Sequence, residues 1–446
     1  MSEQPNVHPL DPYPEQHTRG SLLEGHRYTS EEFFDKEWEG MWTKVWLLLG
    51  RESELPNPGD WQMEPIGPEE ILMVRQQDGG VKAFYNVCQH RGNPLVEGDK
   101  GSVRRFVCKY HSWAFMPDGE LNFAPDREDF PEGNPCGKVR LAELKCETFA
   151  GFVWVNMDPN CMSLQNFLGP IWDEWQARDI QTWTRTMANS MWLPCNWKVV
   201  LDNFNESYHV PTVHMGATTD TNRKEIRGHI NTYFKETRFD LADEGHNRMV
   251  MEGGYGVGAT DKDGNIQEPL ASQLRYWELD PEDFKSKPEA TRTALQQAKR
   301  KIGPNRGFPH YDNVPDEQLT DAFHYTLFPN FAVSLWSDGF HFLRARPHRK
   351  DPEQCLFDNW WYASPGAVKA GTERGMGADH EVELSILNYE TDNIGPGIED
   401  DVRVFVTQQR GFRSRGFKGV YLAKQETRIR RYHEMIDDYV EGRRPK

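Results

Sequence analysis

The chain is short of several things, and each shortage removes a class of function. No stretch of its 446 residues approaches the roughly 18 consecutive apolar residues of a membrane-spanning helix. No basic-then-apolar leader opens it either, so neither membrane insertion nor export is expected. Cysteine is scarce. Of the seven, Cys136, Cys146, Cys161, Cys195 and Cys355 follow no framework spacing, and reduced thiols in a cytoplasmic protein are expected. Basic residues are outnumbered, 52 Lys+Arg against 69 Asp+Glu for a formal charge of −17, which argues against nucleic acid as a partner. Internal repeats are absent. The glycine-rich run Gly253-Gly254-Tyr255-Gly256-Val257-Gly258 lacks the preceding strand and following helix of a nucleotide-binding loop. The chain therefore carries no recognisable flavin or nicotinamide site of its own.

What is present begins with two short loops, Cys88-Gln89-His90 and Cys108-Lys109-Tyr110-His111. Each pairs one thiolate with one imidazole, the ligand set of a Rieske-type [2Fe–2S] cluster. In such a cluster two cysteines hold one iron and two histidines the other, and the neutral nitrogens raise the potential above that of an all-cysteine cluster. The same four ligands also suit a tetrahedral zinc site, though that site usually spaces its ligands C-x2-4-C and H-x3-5-H. β-Branched and aromatic runs at Ile71–Arg75, Val81–Asn86 and Val103–Val107 predict strands around the loops.

A second constellation follows in the segment Asn196 to His214. Read as a helix, Asp202, Glu206 and His209 share one face, a polar stripe that is costly to bury unless it binds something. His209 and His214 would diverge on a continuous helix. Pro211 is expected to break it and turn both imidazoles toward one ion. Two histidines and a carboxylate make the facial triad of a non-haem Fe(II) oxygenase.

With these residues in view, the chain resembles the α (oxygenase) subunit of a Rieske non-haem iron oxygenase, the aromatic ring-hydroxylating dioxygenase family. The family pattern is C-x-H…C-x2-H, then N-W-K…(D/E)-N-x-x-(D/E)-x-Y-H-x4-H, then a late aspartate before a Q-x-G-type segment. All three parts occur here in order, ending at Gln409-Arg410-Gly411. The resemblance implies that Cys88, His90, Cys108 and His111 bind the [2Fe–2S] cluster. It implies that His209, His214 and a late carboxylate bind mononuclear Fe(II). By spacing that carboxylate is Asp401, with Asp400 and Glu399 its neighbours in Ile398–Arg403. Glu206 has the family's bridging position between a cluster histidine of one subunit and the iron ligand of the next, and Asn203 and Asp202 stand behind it. Tyr110 and Trp113 are either a cover over the cluster or plain core.

The implied fold class is α+β: an all-β Rieske domain plus a catalytic domain whose antiparallel sheet is covered by helices, in the helix-grip or START-like manner. Residues 1–44 read as a loose arm and a helix belonging to the catalytic domain, 45–156 as the Rieske domain, and 157–446 as the mononuclear-iron catalytic domain. Thr29 with Glu32 has capping-box form and opens the helix toward Trp42. Phe331–Trp336 and Phe340–Arg344 predict a hairpin, Leu356–Ala363 a strand, and Ile429, Tyr432, Ile436 and Val440 the apolar stripe of a last helix ended by Gly442. Residues 253–320 are the least legible, with a turn at Asp261–Asn265 and a charged helix near Glu289–Ile302; a lid, a tunnel wall and an oligomer contact all fit. His310, His324 and His341 are not needed as ligands; His324 and His341 are either substrate contacts or core histidines.

The partners implied are a separate NAD(P)H-dependent reductase, with or without a ferredoxin between, together with dioxygen and a small-molecule substrate. Assembly as a homotrimer is implied, with or without a β subunit. The basic cluster Lys100, Arg104, Arg105 and Lys109, close to the Cys/His loops, is either a donor-docking patch or a solvated loop face. Hydroxylation of an aromatic or related hydrophobic ring is the leading reaction. The alternative is monooxygenation leading to demethylation of a quaternary ammonium or methoxy compound. A ring pocket should be apolar almost throughout; a quaternary cation needs an aromatic cage, with or without one carboxylate. An electron carrier or zinc-stabilised binding module is the reading from another class, and it has no use for a second metal site.

Overall fold

The computed structural model describes residues 19–20, 22–214, 238–251, 259–374, 377–395 and 397–444. Most of the N-terminal arm and the glycine run 253–258 lie outside them. The chain forms two compact units. The first comprises Phe34–Phe167, Pro347–Asp351 and the described residues from Tyr439; the second comprises the described residues up to Phe33, Leu168–Arg346 and Pro352–Asp438. The first helix, Glu31–Glu37, is thus divided between the units rather than belonging wholly to the second. Its N-terminal cap is Ser30, whose Oγ accepts the Phe33 N–H at 3.2 Å, one residue beyond the expected Thr29.

The first unit is built on a seven-stranded sheet. Its strands lie in the spatial order Leu47–Arg51, Phe152–Asn156, Glu143–Phe149, Val81–Tyr85, Glu69–Arg75, Asp60–Ile66, Lys100–Ser102. Ile71 to Val74 are all buried, so the central strand reads as a continuous apolar run and not as an alternation. A small second sheet joins Phe106–Val107, Ala114–Phe115 and Leu121–Phe123. The strand expected at Val103–Val107 is therefore shortened. Val103 instead donates its N–H to Gly59 O at 2.9 Å, at a turn where Gly59 has φ +88° and a Cβ would meet Val103 O at 2.2 Å. Close backbone approach there needs glycine. The core between the sheets contains Trp61, Phe84, Phe115 and Leu121, and both Cys88 and Cys108 belong to it.

The second unit carries an eight-stranded sheet in the order Arg238–Leu241, Asn247–Met251, Ala322–Leu327, Phe331–Leu335, Gly339–Pro347, Cys355–Ala363, Thr184–Leu193, Ser385–Leu387. It is antiparallel apart from the last pairing, which is parallel. Met249, His324, Ser334 and His341 are direct cross-strand partners, so they form one row across one face. Asp358 is buried in this sheet, with Arg344 Nε at 2.7 Å and Arg346 Nη2 at 2.9 Å. The helices Trp197–Phe204, Ile398–Phe412 and Thr427–Val440 complete the unit, and Ile429, Tyr432 and Ile436 are buried as the sequence pattern requires. Residues 259–320 form neither a loop nor a bare lid. They fold around their own apolar cluster, including Leu270, Leu274, Trp277, Leu295 and Tyr311, with helices at Leu270–Tyr276 and Ala290–Ile302.

Candidate metal centres

The two Cys/His loops share one backbone design. In the first, the Cys88 N–H donates to Asn93 O at 2.8 Å and the Gly92 N–H to Cys88 O at 3.0 Å; in the second, the Cys108 N–H donates to Trp113 O at 2.8 Å and the Ser112 N–H to Cys108 O at 3.0 Å. The fourth residue after each cysteine, Gly92 at φ +75° and Ser112 at φ +58°, is left-handed. These turns keep both cysteines in the core, each 2 % exposed, and carry the histidines outward to half-buried positions. His90 and His111 approach with ring centroids 4.6 Å apart. Trp113 stacks on His90 at 4.7 Å, and Tyr110 lies against His111 at 3.7 Å.

The Nδ1 atoms of both His90 and His111 are buried without a hydrogen-bond partner. Two orphaned imidazole nitrogens on the same loops as two buried thiols fit a group that takes ligands from all four, since an unpaired buried polar atom costs roughly 1–3 kcal/mol. Among the described residues, ligand atoms converge to within 4.8 Å in a group of three or more only at His209, His214 and Asp401. The Cys/His set is thus spread more widely than one zinc ion requires and fits a group with two metal atoms. Burial and the neighbouring Cys108 push the Cys88 thiol up to about 11, so metal binding there must expel protons.

The second centre arises from a helix that stops early. Asn196 caps the Trp197–Phe204 helix by accepting the Lys198 N–H at 3.0 Å. The helix ends at Phe204 and not at Pro211, because the Asn205 side-chain amide donates to Leu201 O at 2.9 Å while its oxygen accepts from Asn247 Nδ2 at 2.8 Å. A new short helix, Val210–Val213, then starts after His209 with Pro211 in its first turn, where proline is favoured. Asp202, Glu206 and His209 consequently do not share a helical face. Asp202 points elsewhere and accepts from Tyr28 OH at 2.7 Å, with His433 Nε2 at 2.9 Å.

Glu206 lies in the linker between the helices and still reaches His209. Its Oε2 accepts the backbone N–H groups of Tyr208 and His209, and its Oε1 is 2.5 Å from His209 Nδ1. The other ring nitrogen, Nε2, is 3.4 Å from Asp401 Oδ1, and His214 Nε2 is 3.3 Å from the same oxygen. Asn203 Nδ2 donates to that carboxylate at 3.1 Å. Of the three adjacent carboxylates, Asp401 is the one turned to the histidines; Glu399 accepts the Ile394 N–H at 3.3 Å instead. Gln409, on the Ile398–Phe412 helix, accepts the Asn196 N–H at 3.0 Å and so ties the helix that carries Asp401 to the start of the Trp197–Phe204 helix. Burial would push His209 down, but Asp401 and Glu206 outweigh it and hold the imidazole up at about 9. Burial likewise opposes the Asp401 carboxylate, yet the two histidines hold it below its usual value.

A cavity of about 320 Å³ opens beside this trio. Its apolar lining is Phe204, Val210, Met249, Met251, Leu343 and Ile398, and the sheet row adds His324, Ser334 and His341. His324 is buried between Ser334 Oγ at 2.7 Å and Phe204 O at 2.6 Å, and burial together with Arg428 pushes it down to about 3, so it is neutral. His341 pairs with Asn359 Oδ1, and His310 with Ser337 O at 2.6 Å. Sequence reasoning missed Met249, Met251 and Ser334. Met249 and Met251 have the i, i+2 spacing of one strand face, and Ser334 joins them only through cross-strand pairing, which no local motif marks.

Comparison with known proteins agrees with both centres in order along the chain. Residues 45–141 match the family model described as Rieske [2Fe-2S] domain, and residues 180–442 match Ring hydroxylating alpha subunit (catalytic domain). The carnitine monooxygenase oxygenase subunit of Escherichia coli is 34 % identical over 194 residues, covering 42 % of this chain and 51 % of that protein. The chain thus spans about half the length of that relative. Biphenyl dioxygenase subunit alpha of Paraburkholderia xenovorans is 30 % identical over 323 residues, covering 69 % of this chain and 64 % of its own. In fold, the chain is similar to naphthalene 1,2-dioxygenase from Rhodococcus sp. at TM-score 0.65, 17 % identity and 95 % coverage of each chain. It is similar to a quaternary ammonium Rieske monooxygenase at TM-score 0.64 and 20 % identity, over 96 % of this chain and 99 % of that one.

Proposed function

The chain belongs to the ring-hydroxylating oxygenase α-subunit family, and from that premise we propose that it is the terminal oxygenase component of a multicomponent system acting on an aromatic or related hydrophobic ring. When bound, a [2Fe–2S] cluster supplies one-electron transfer and a mononuclear iron supplies dioxygen activation. Cys88, His90, Cys108 and His111 hold the first, within residues 45–156. His209, His214 and Asp401 hold the second, within 157–446.

Each supporting residue has a task that follows from its contacts. Glu206 accepts at His209 Nδ1 and so keeps Nε2 for the metal, as carboxylate partners of metal-bound imidazoles do. Asn203 holds Asp401 in orientation. Asp202 anchors the Trp197–Phe204 helix through Tyr28 and His433. Glu206 is also the bridge toward a cluster histidine of a neighbouring copy, which makes a trimer the expected assembly, with or without a β subunit. A separate reductase, directly or through a ferredoxin, is the expected donor. Lys100, Arg104, Arg105 and Lys109 are all exposed, a basic face toward which an acidic donor would be drawn, with Lys109 paired to Glu97 at 2.7 Å.

The observation that carries the ring reading is the lining of the 320 Å³ cavity. Among the described residues it holds one aromatic carbocycle, Phe204, and its carboxylates are Asp401 and Glu206, both already engaged with His209. That supports an apolar ring over a quaternary cation, which needs several aromatic faces. Demethylation of a quaternary ammonium compound is the second reading, favoured by the identity with carnitine monooxygenase.

The test is oxygen-18 incorporation by the iron-reconstituted protein with NADH and a reductase from a related system. Biphenyl, naphthalene and carnitine are offered separately. Labelled ring products support the proposal. Formaldehyde release from carnitine with no ring product overturns it in favour of the second reading.

A further inference from the structure

A second cavity, of about 630 Å³, lies apart from the one at the metal-ligating trio. It lies in the same unit, under the folded segment 259–320, with Tyr276, Trp277 and Phe308 on one side and Trp336 and Trp361 on the other. One hairpin serves both cavities. Ser334, His341 and Leu343 in its body line the smaller, and Trp336 to Gly339 at its tip line the larger. The His341 ring is 5.2 Å from Trp361, and Trp361 is 5.2 Å from Trp336. Ring contacts therefore run from the lining of the smaller space to that of the larger.

The charge of the larger cavity decides what it takes. Its charged lining residues are Lys299, Arg374 and Asp338, one positive charge in excess within a chain of formal charge −17. Two of the aromatic faces that line it, Tyr276 and Trp277, already carry the protein's own cations. Arg374 lies 4.8 Å over Tyr276, Arg306 5.3 Å over the same ring, and Lys299 5.6 Å over Trp277. A quaternary ammonium group would meet repulsion there. Trp336 and Trp361 offer stacking surface, and the exposed Arg374 guanidinium at the mouth offers a fork that matches a carboxylate. Lys299 Nζ, inside, is held by Leu319 O at 2.6 Å and Ser337 Oγ at 3.0 Å. The smaller cavity, about 320 Å³, is near the lower limit for small-molecule sites, so the larger one is the roomier of the two.

We infer that the larger cavity is the outer compartment of the substrate path, and that it takes the carboxylate-bearing end of an elongated aromatic substrate. The unsubstituted ring then reaches the pocket beside His209, His214 and Asp401, with Trp361 as the residue that sets how long a substrate can be. This rests on the oxygenase reading above and narrows its substrate class to aromatic acids of at least two rings.

The experiment uses the full chain loaded with iron and cluster, titrated without oxygen with biphenyl-4-carboxylate and with biphenyl, following tryptophan fluorescence. The carboxylate is expected to bind more tightly. Arg374→Gln should weaken it roughly three- to tenfold, as loss of a partly exposed charge pair would, and leave biphenyl unchanged; Arg374→Glu should weaken it further. In turnover, oxygen should enter the ring that lacks the carboxylate. Equal affinities, indifference to Arg374, or oxygen in the carboxylate-bearing ring overturns the inference and leaves the oxygenase reading standing. Arg374-dependent binding with no oxygen inserted into either compound overturns the oxygenase reading, while the cavity remains an aromatic-acid site.

Discussion

Glu206 Oε1 lies 2.5 Å from His209 Nδ1, and this contact decides which nitrogen of the imidazole faces Asp401. Without it the ring could turn, and the convergence of His209, His214 and Asp401 on one point would rest on Asp401 alone. Glu206→Gln keeps the shape but removes the charge that strengthens the bond. Iron content and the cluster spectrum should be retained while turnover falls about 10- to 100-fold. Iron analysis beside single-turnover oxidation of the cluster measures the split. Fast cluster oxidation in the substrate-bound variant would count against the bridging role.

Metal binding at the trio should be strongly pH-dependent. In the metal-free protein His209 is held up at about 9 against an ordinary 6.5, so at neutral pH a proton occupies the imidazole that the metal needs. Apparent affinity for Fe(II) or Co(II) should rise with pH and flatten near 9, with proton release seen as a buffer-dependent enthalpy in calorimetry. Stability of the metal-free protein runs the other way. The contribution of protonated His209 is fully present below about 6.5 and is lost as pH rises through about 9. An affinity that does not change between pH 6 and 9 would show that His209 is not a ligand.

Asp358 balances two buried guanidiniums, at 2.7 Å from Arg344 and 2.9 Å from Arg346. Asp358→Asn removes the carboxylate that both guanidiniums face in the sheet, and a loss of about 3–5 kcal/mol is expected. Burial raises this carboxyl, but Arg346 and Arg344 outweigh it and hold its pKa below the usual range. Its stabilisation is therefore present at neutral pH and is lost as pH falls through the folded pKa. Thermal unfolding followed by circular dichroism should show the variant melting well below wild type at pH 7.

The two cysteine loops invite a paired comparison. Gly92 and Ser112 are the fourth residues of equivalent turns, at φ +75° and +58°. Ser112→Gly should be neutral or stabilising by up to about 1 kcal/mol, whereas Gly92→Val forces a β-branched residue into a left-handed position and should cost more than that. Cluster absorbance during a thermal ramp reads both variants. Equal retention would mean that the shared turn does not hold the cysteines.

Much of the site was legible because it is written in local spacing. C-x-H and C-x2-H, H-x4-H and the aspartate ahead of Gln409 are short-range patterns whose chemistry is carried by residue type. The hairpin at Phe331–Leu335 and Gly339–Pro347 and the last helix were equally legible from periodicity. Where the reading went astray, a distant residue intervened. The helix predicted through His209 stops at Phe204 because Asn247, on a strand far along the chain, holds the Asn205 side chain that caps it. The run 103–107 is shortened because Val103 meets the Gly59 turn.

By itself, then, the amino-acid order determined which side chains are able to hold metal and in which of two groups. The tertiary structure alone decided that Asp202 faces Tyr28 and His433 while Asp401, and neither of its neighbouring carboxylates, faces the histidines. It also decided that segment 259–320 has a core of its own over a second cavity. The physical reason is that ligand type is a property of single residues, whereas the direction a side chain points is set by hydrogen bonds and packing from residues a hundred or more positions away.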